Sequence, residues 1–379
     1  MRILYFSRDY TTHDHRFMTA IARAHDVWYL RLEDDGNPYE SRPLPAGVHP
    51  IAWPGGSSPA PELADWLRLM PAFERALSGV NPDLVHAGPV QSCAFMAAVT
   101  GFHPLLSMSW GSDVLVHADR DDLWRWLTGY TLRRSDALLC DNPAVRQRVH
   151  ELAPFDPARI VEFPWGIDLD AFSPTGPESP LRSKLGWEDA VVALATRSWE
   201  EIYGIDTLLD AFASAHAANP DLRLLLMGEG SLAPLVRARI AGNGLGDAIH
   251  TPGVLPETAM PGIYRMSDIY VSCARSDGTS ISLLQAMACG LPVVVSDVPG
   301  NRAWVEPEVN GWLARPDDAA GFAAALREAA ALPPDARARL AARNRAVAET
   351  RADWRANVGQ LMRMYAKLAP SHVSQGESR

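Results

Sequence analysis

The stretch Ser272–Asp297 reads SCARSDGTSISLLQAMACGLPVVVSD. It predicts a strand ending near Cys273, a polar loop over 275–280, and a short helix over 283–289 that begins near Ser282. Ser282 and Gln285 have the S-x-x-Q spacing of a capping box ahead of an apolar run. Gly290 stands where a left-handed C-terminal cap belongs, and Pro292 stops the helix before the next strand. Gly278 and small hydroxyl residues precede the helix, so its first N–H groups face a loop of little bulk. Such an end carries roughly half a positive charge and suits an anion. In an open parallel sheet it lies at the carboxyl edge of the strands, where ligands bind. The same pattern also suits a capped packing helix with no ligand.

Outward from this unit, short apolar runs alternate with amphipathic stretches. Strands are predicted at 2–6, 27–32, 84–87, 105–108, 137–140 and 159–163, with helices near 15–24, 61–78, 90–100, 121–134 and 143–153. The alternation breaks at 164–189, where Pro164, Pro174, Pro177 and Pro180 cluster with Gly166, Gly176 and Gly186. It restarts at Val191 and runs through strands at 191–196, 222–227, 248–251, 269–273 and 292–296. Helices are predicted at 205–218, 231–241 and 258–267, and the end is helical at 317–332, 334–349 and 351–369. The fold class is α/β, as two Rossmann-like doubly wound domains facing a cleft. We place the first domain at 1–165, a linker or hinge at 166–190, the second domain at 191–350, and a disordered tail at 370–379.

Composition narrows the function. The chain has 379 residues, which suits two cores rather than one. No apolar run reaches the roughly 18–20 residues that span a bilayer. The opening MRILYF reads as a buried strand rather than a signal peptide, so a cytoplasmic location is expected. A net charge of −10 without a basic stripe argues against nucleic acid. Cys93, Cys140, Cys273 and Cys289 lack metal-ligand spacing, so no metal site is expected. Lys184 and Lys367 are the only lysines, and neither is placed to hold pyridoxal.

The chain resembles the retaining glycosyltransferases of family four, the glycogen-synthase-like group. Those carry an acidic residue, seven others, a glutamate, and then AMACGLPVV. Here Asp277 and Gln285 take the two positions and residues 286–294 follow the pattern. Pro164-Trp-Gly-Ile-Asp168 with Phe172-Ser-Pro174 is similar to the family's linker motif. Arg197 with Gly204-Ile-Asp206 resembles its phosphate-binding region, and Met227-Gly-Glu-Gly230 its glycine turn. Asn310-Gly-Trp-Leu313 resembles its closing pattern. Trp354 fits a C-terminal helix, 351–369, that packs back on the first domain.

The resemblance implies the glycosyltransferase B fold and no cofactor beyond a nucleotide-diphosphate sugar of UDP or GDP type. It implies a saccharide or lipid-linked saccharide acceptor. It assigns Asp277 to the transferred sugar near the reacting carbon; the alternative is an aspartate that only starts a turn with Gly278. It assigns donor contacts to Arg197, Gly228, Glu229, Val254, Arg275, Gly278, Thr279, Ser280, Ile281, Ser282 and Gln285. Gln285 replaces a glutamate, which turns a charge-assisted bond to ribose into a neutral one. The family's phosphate lysine is absent, so Arg197 is expected to act with Arg275 or a tyrosine hydroxyl.

After the first strand, Asp14, His15 and Arg16 suit acceptor recognition or proton transfer, with His15 the candidate catalytic group; a helix cap at Asp14 is the alternative. Trp110 and Asp113, in Ser109-Trp-Gly-Ser-Asp113, fall on the acceptor side. Trp124 and Trp126 beside Arg125, Arg133 and Arg134 suit either peripheral membrane contact or ordinary packing. The rival readings are a sugar-nucleotide epimerase of the same architecture and a non-catalytic nucleotide-sugar-binding relative.

Overall fold

A computed structural model describes residues 1–34 and 40–369. The tail expected at 370–379 lies outside the described residues. The chain divides into two compact units, residues 1–163 with those from 358 onward, and Pro164–Asn357.

The first unit holds a parallel sheet of β1 (Arg2–Ser7), β2 (Asp26–Arg31), β3 (Val48–Pro50), β4 (Leu84–Gly88), β5 (Leu105–Met108), β6 (Ala137–Cys140) and β7 (Ile160–Glu162). Their order across it is β3-β2-β1-β4-β5-β6-β7. The second unit holds β8 (Val191–Ala195), β9 (Leu222–Leu226), β10 (Ile249–His250), β11 (Ile269–Ser272), β12 (Val293–Ser296) and β13 (Gly311–Ala314). Their order is β10-β9-β8-β11-β12-β13. Strand order therefore reverses between β1 and β4 in one sheet and between β8 and β11 in the other. Crevices open at the carboxyl ends of strands at such reversals.

The near-continuous apolar strands follow from burial on both faces. In β8, Ala193 and Ala195 join one core with Leu224 and Val271, while Val192 and Leu194 join the opposite core with Leu225 and Tyr270. That split is the two-residue period of a strand.

Three features differ from the sequence reading. Residues 166–190, expected as a linker or hinge, pack into the second unit: Ile167, Phe172 and Trp187 are buried in its core, and the Ile167 amide donates to the Ala352 carbonyl at 2.8 Å. Burying these large side chains outweighs the local proline and glycine signal. Gly166, with φ 66°, lies so close to Ala352 that a side chain would collide. The helix expected over 351–369 is two, Trp354–Asn357 and Gly359–Leu368, and the second belongs to the first unit. There the Tyr365 hydroxyl meets buried His86 Nδ1 at 2.7 Å. Edge strands β3 and β13 were not predicted. β3 is three residues long and ends in a proline, which only an edge tolerates.

Candidate functional site

The turn after β11 leads into helix Ile281–Ala288, and the turn after β8 carries Arg197. β8 and β11 are adjacent, with Tyr270 opposite Leu194, so the two turns share one reversal point. Gly204 has φ 60° and its Cα abuts the Cys273 carbonyl, an approach that a side chain would block. The Arg275 amide donates to the Ile202 carbonyl at 2.8 Å, joining the same two loops.

The helix begins earlier than its sequence suggests. Ser280, not Ser282, is the N-cap, and its hydroxyl accepts from the Leu283 amide at 3.4 Å. Gln285 is thereby carried past the third helical position and forms no capping box. Its Oε1 instead accepts from the Tyr264 hydroxyl at 2.9 Å, and its Nε2 donates to Glu257 at 3.3 Å. The far end follows expectation. Gly290 has φ 78°, and the Leu291 and Gly290 amides donate to the Ala286 and Met287 carbonyls at 3.0 Å each.

Three side chains converge at the helix entrance. Arg197 Nη1 donates to Ser280 Oγ at 3.1 Å, and Nη2 lies 3.2 Å from Asp277 Oδ2. The guanidinium lies 4.1 Å from the ring centre of Tyr203. Burial opposes the Arg197 charge, yet Asp277, Tyr203 and Tyr270 more than restore it, and the group is held firmly cationic. Burial raises the Asp277 carboxyl above the usual carboxylate range, against the pull of Arg197, Ser280 and the Gly278 amide. Tyr270 adds a hydroxyl, which donates to Ser282 at 2.8 Å.

Gly228 in the turn after β9 packs its Cα toward the Arg197 carbonyl, and its amide donates to the Gly253 carbonyl at 3.1 Å. Val254 beside it is 67% exposed, and Glu229 is exposed. Gly300 lies against the Asp277 and Gly278 carbonyls. Thr279 is buried within the loop.

Arg275 does not join this group. It pairs with Asp206 at 2.9 Å and Asp317 at 2.8 Å and also donates to the Glu201 carbonyl. Two carboxylates, Asp206 in the first turn of helix Ile205–Ala218 and Asp317, outbid a place beside cationic Arg197. Tyr203 under Arg197 was foreseen only as an unnamed tyrosine. Tyr264 and Glu257 were missed, for nothing in their local sequence distinguishes them.

In the first unit, Asp14 is buried at the start of helix Thr12–Ile21. Thr11 is the cap; Asp14 closes a reciprocal capping box with it and accepts from the Tyr5 hydroxyl at 2.9 Å. Burial pushes its carboxyl up to about 6, against the hydrogen bonds of Thr11, Tyr5 and Ser7. His15 Nδ1 lies 3.4 Å from Thr19 Oγ1, and burial, with Arg42, lowers its pKa below the usual imidazole value. The His13 ring lies 5.6 Å from that of Trp110. Asp113 is a loop organiser: it accepts from Ser109 Oγ at 2.7 Å and from the Val90, Trp110 and Val114 amides at 3.0 Å each. Arg8, Asp9, Thr11, Asp14, Glu33 and Trp110 line a pocket of about 270 Å³ at the β1–β4 reversal. Arg8, Asp9 and Glu33 are not distinguished by their local sequence; the fold brings them together.

Trp124 lies 4.9 Å from the Arg120 guanidinium and edge-on to Trp66, whereas Trp126 is 52% exposed. Among the described residues no helix is long and apolar enough to cross a membrane, and no group of three or more His, Cys, Asp or Glu is placed to hold a metal ion.

The family model for Glycosyltransferase Family 4 matches residues 11–171, and that for Glycosyl transferases group 1 matches residues 189–331. The chain belongs to the family-four glycosyltransferases. Among relatives of this family, it is 35% identical over 182 residues to the D-inositol 3-phosphate glycosyltransferase of Geodermatophilus obscurus, covering 45% of this chain and 40% of that one. It is 33% identical over 215 residues to the phosphatidyl-myo-inositol mannosyltransferase of Mycobacterium leprae, covering 56% and 54%. The matches thus span about half the length of these curated relatives. Among solved structures, sucrose-phosphate synthase of Thermosynechococcus elongatus aligns over 97% of this chain and 99% of its own, with a TM-score of 0.81 and 19% identity. Anabaena HepE in complex with UDP-glucose aligns over 97% and 100%, with a TM-score of 0.79 and 18% identity. The family member has the glycosyltransferase B fold.

Proposed function

We propose that the chain is a retaining glycosyltransferase that moves a sugar from a nucleotide-diphosphate sugar to a saccharide or lipid-linked saccharide acceptor. The observation that carries this is the Arg197–Asp277–Ser280 group at the entrance of helix Ile281–Ala288, at the strand reversal of the second unit. In the proposed complex the diphosphate sits on the helix entrance. It takes positive charge from Arg197 and hydrogen bonds from the first-turn amides, including Ile281 and Ser282. Arg197 can then exchange part of its pairing with Asp277 for the phosphate. That leaves the Asp277 carboxylate to face the sugar and stabilise positive charge at the anomeric carbon.

The anomeric carbon–oxygen bond breaks with its electron pair leaving on the diphosphate. The acceptor hydroxyl oxygen bonds to that carbon, and its proton passes to the departing phosphate oxygen. Catalysis on this reading is positioning plus charge stabilisation. Support for a UDP donor comes from Anabaena HepE, solved with UDP-glucose; the two inositol-linked relatives support a cyclitol or saccharide acceptor.

A thermal-shift panel of UDP- and GDP-sugars tests the reading, since a bound donor raises the melting point. Arg197→Ala is expected to weaken the selected donor about 10- to 100-fold, the value of a charge-assisted contact. Asp277→Asn is expected to lower kcat about 10²- to 10³-fold with a smaller effect on donor affinity. Turnover is expected to survive EDTA, because Arg197 and the helix end supply the counter-charge. An unchanged donor affinity in Arg197→Ala, or dependence on a divalent ion, would sink this assignment.

A further inference from the structure

The pocket at the β1–β4 reversal has a charge pattern of its own. Asp9, Asp14 and Glu33 bring three carboxyls to its wall, and among the described lining residues Arg8 is the one cation. That cation is already matched: Arg8 pairs with Glu33, whose side chain is 2% exposed and also accepts the Ala60 amide at 2.7 Å. Behind the wall, Arg31 is likewise matched, by Asp9 at 2.7 Å and Asp34 at 3.2 Å. A phosphate entering here would face carboxyls whose cations are already paired and, among the described lining residues, would have to break an ion pair to find a cation. Like charges brought together in this way are strongly rejected. A ring bearing hydroxyls meets no such barrier: Asp9, whose side chain is 11% exposed, can accept a hydroxyl proton, while Asp14 and Glu33 are buried and engaged with Thr11, Tyr5, Arg8 and Ala60, and a half-buried indole offers an apolar face. Trp110 supplies that face; its backbone is held by the amide's bond to Asp113 at 3.0 Å, and its ring lies 5.6 Å from that of His13. At about 30 Å³ per water, the pocket of about 270 Å³ equals roughly nine waters, enough for one sugar ring with its hydroxyls.

We infer that this pocket binds an uncharged, hydroxyl-rich ring stacked on Trp110, so that the acceptor carries no phosphate on the ring held there. The inference rests on the transferase reading for the word acceptor, but the pocket's selectivity is independent of it. It separates this chain from its relatives, whose names specify inositol 3-phosphate and a phosphatidyl-inositol.

The test uses the full chain without donor and ligand-observed saturation-transfer NMR. The probes are methyl hexosides and myo-inositol, each beside its phosphate monoester. Uncharged members are expected to bind, with their phosphates at least about tenfold weaker. Trp110→Ala abolishes this binding, whereas Trp110→Tyr keeps a stacking face and retains it, which separates lost stacking from lost folding. Asp9→Asn narrows the gap between each sugar and its phosphate. Phosphates that bind as well as the parent rings, sugar binding indifferent to Trp110→Ala, or no binding by any probe would each overturn the inference. Donor binding is read separately by the melting-point shift with UDP. Its failure alone removes the transferase reading and leaves the pocket result standing.

Discussion

Asp14 shows how one residue carries structural and chemical roles together. Its carboxyl caps helix Thr12–Ile21, accepts from Tyr5, and is one wall of the first unit's pocket. Burial raises its pKa from 3.8 to about 6, so the folded chain holds this proton more tightly than the unfolded chain. Stability from this group is therefore complete below about pH 4 and falls as pH rises through about 6. A shift of that size corresponds to about 3 kcal/mol as an order of magnitude. Asp14→Asn, which cannot ionise, is expected to lack this slope. Melting curves from pH 4 to 8 should show the wild type losing ground to Asp14→Asn and levelling off above about pH 7. Parallel curves would place the titration elsewhere. In the sequence Asp14 was legible as cap or site but not as both, because its burial depends on β1 packing beside it.

At the scale of elements, the donor-side loop is shaped by what packs behind it. Gly300, at the start of helix Pro299–Arg302, touches the Asp277 and Gly278 carbonyls, and an added Cβ would collide with both. Both contacts are rigid backbone, so neither can give way as a side-chain tip would. Gly300→Ala is expected to push the loop off Arg197 and weaken donor binding about tenfold or more while the fold survives. Calorimetric titration with UDP checks this, and an unaltered affinity with an unaltered melting point would refute it. The 272–297 unit was legible because its signals are local: an apolar strand, Gly290 as left-handed cap, and Pro292 as stop. The helix start was displaced by two residues because two serines compete for the cap, and only the packing of the loop against Arg197 and Gly300 selects Ser280. The pairing of Arg275 was not legible for a similar reason, since its partners Asp206 and Asp317 are distant in sequence.

At the scale of the whole molecule, the strand–helix alternation revealed both sheets, because parallel strands buried on both faces must read as apolar runs. The unit boundary was less legible. Prolines and glycines suggested a linker or hinge at 166–190, yet Ile167, Phe172 and Trp187 pack in the core of Pro164–Asn357. The second unit then contains its complete six-stranded sheet, two apolar cores, and every residue of the Arg197–Asp277–Ser280 group. A fragment of residues 164–357 is therefore expected to fold alone and to gain melting temperature with UDP, by the same mass action as the full chain. It is expected to transfer no sugar, because the proposed acceptor pocket lies among residues 8–110. A shorter fragment starting at 191 loses Ile167, Phe172 and Trp187. Deleting three large buried side chains at about 3–5 kcal/mol for each aromatic exceeds the usual stability of such a unit, so this fragment should not fold. If circular dichroism found the 191–357 fragment as cooperatively folded as 164–357, residues 164–190 would be a linker after all.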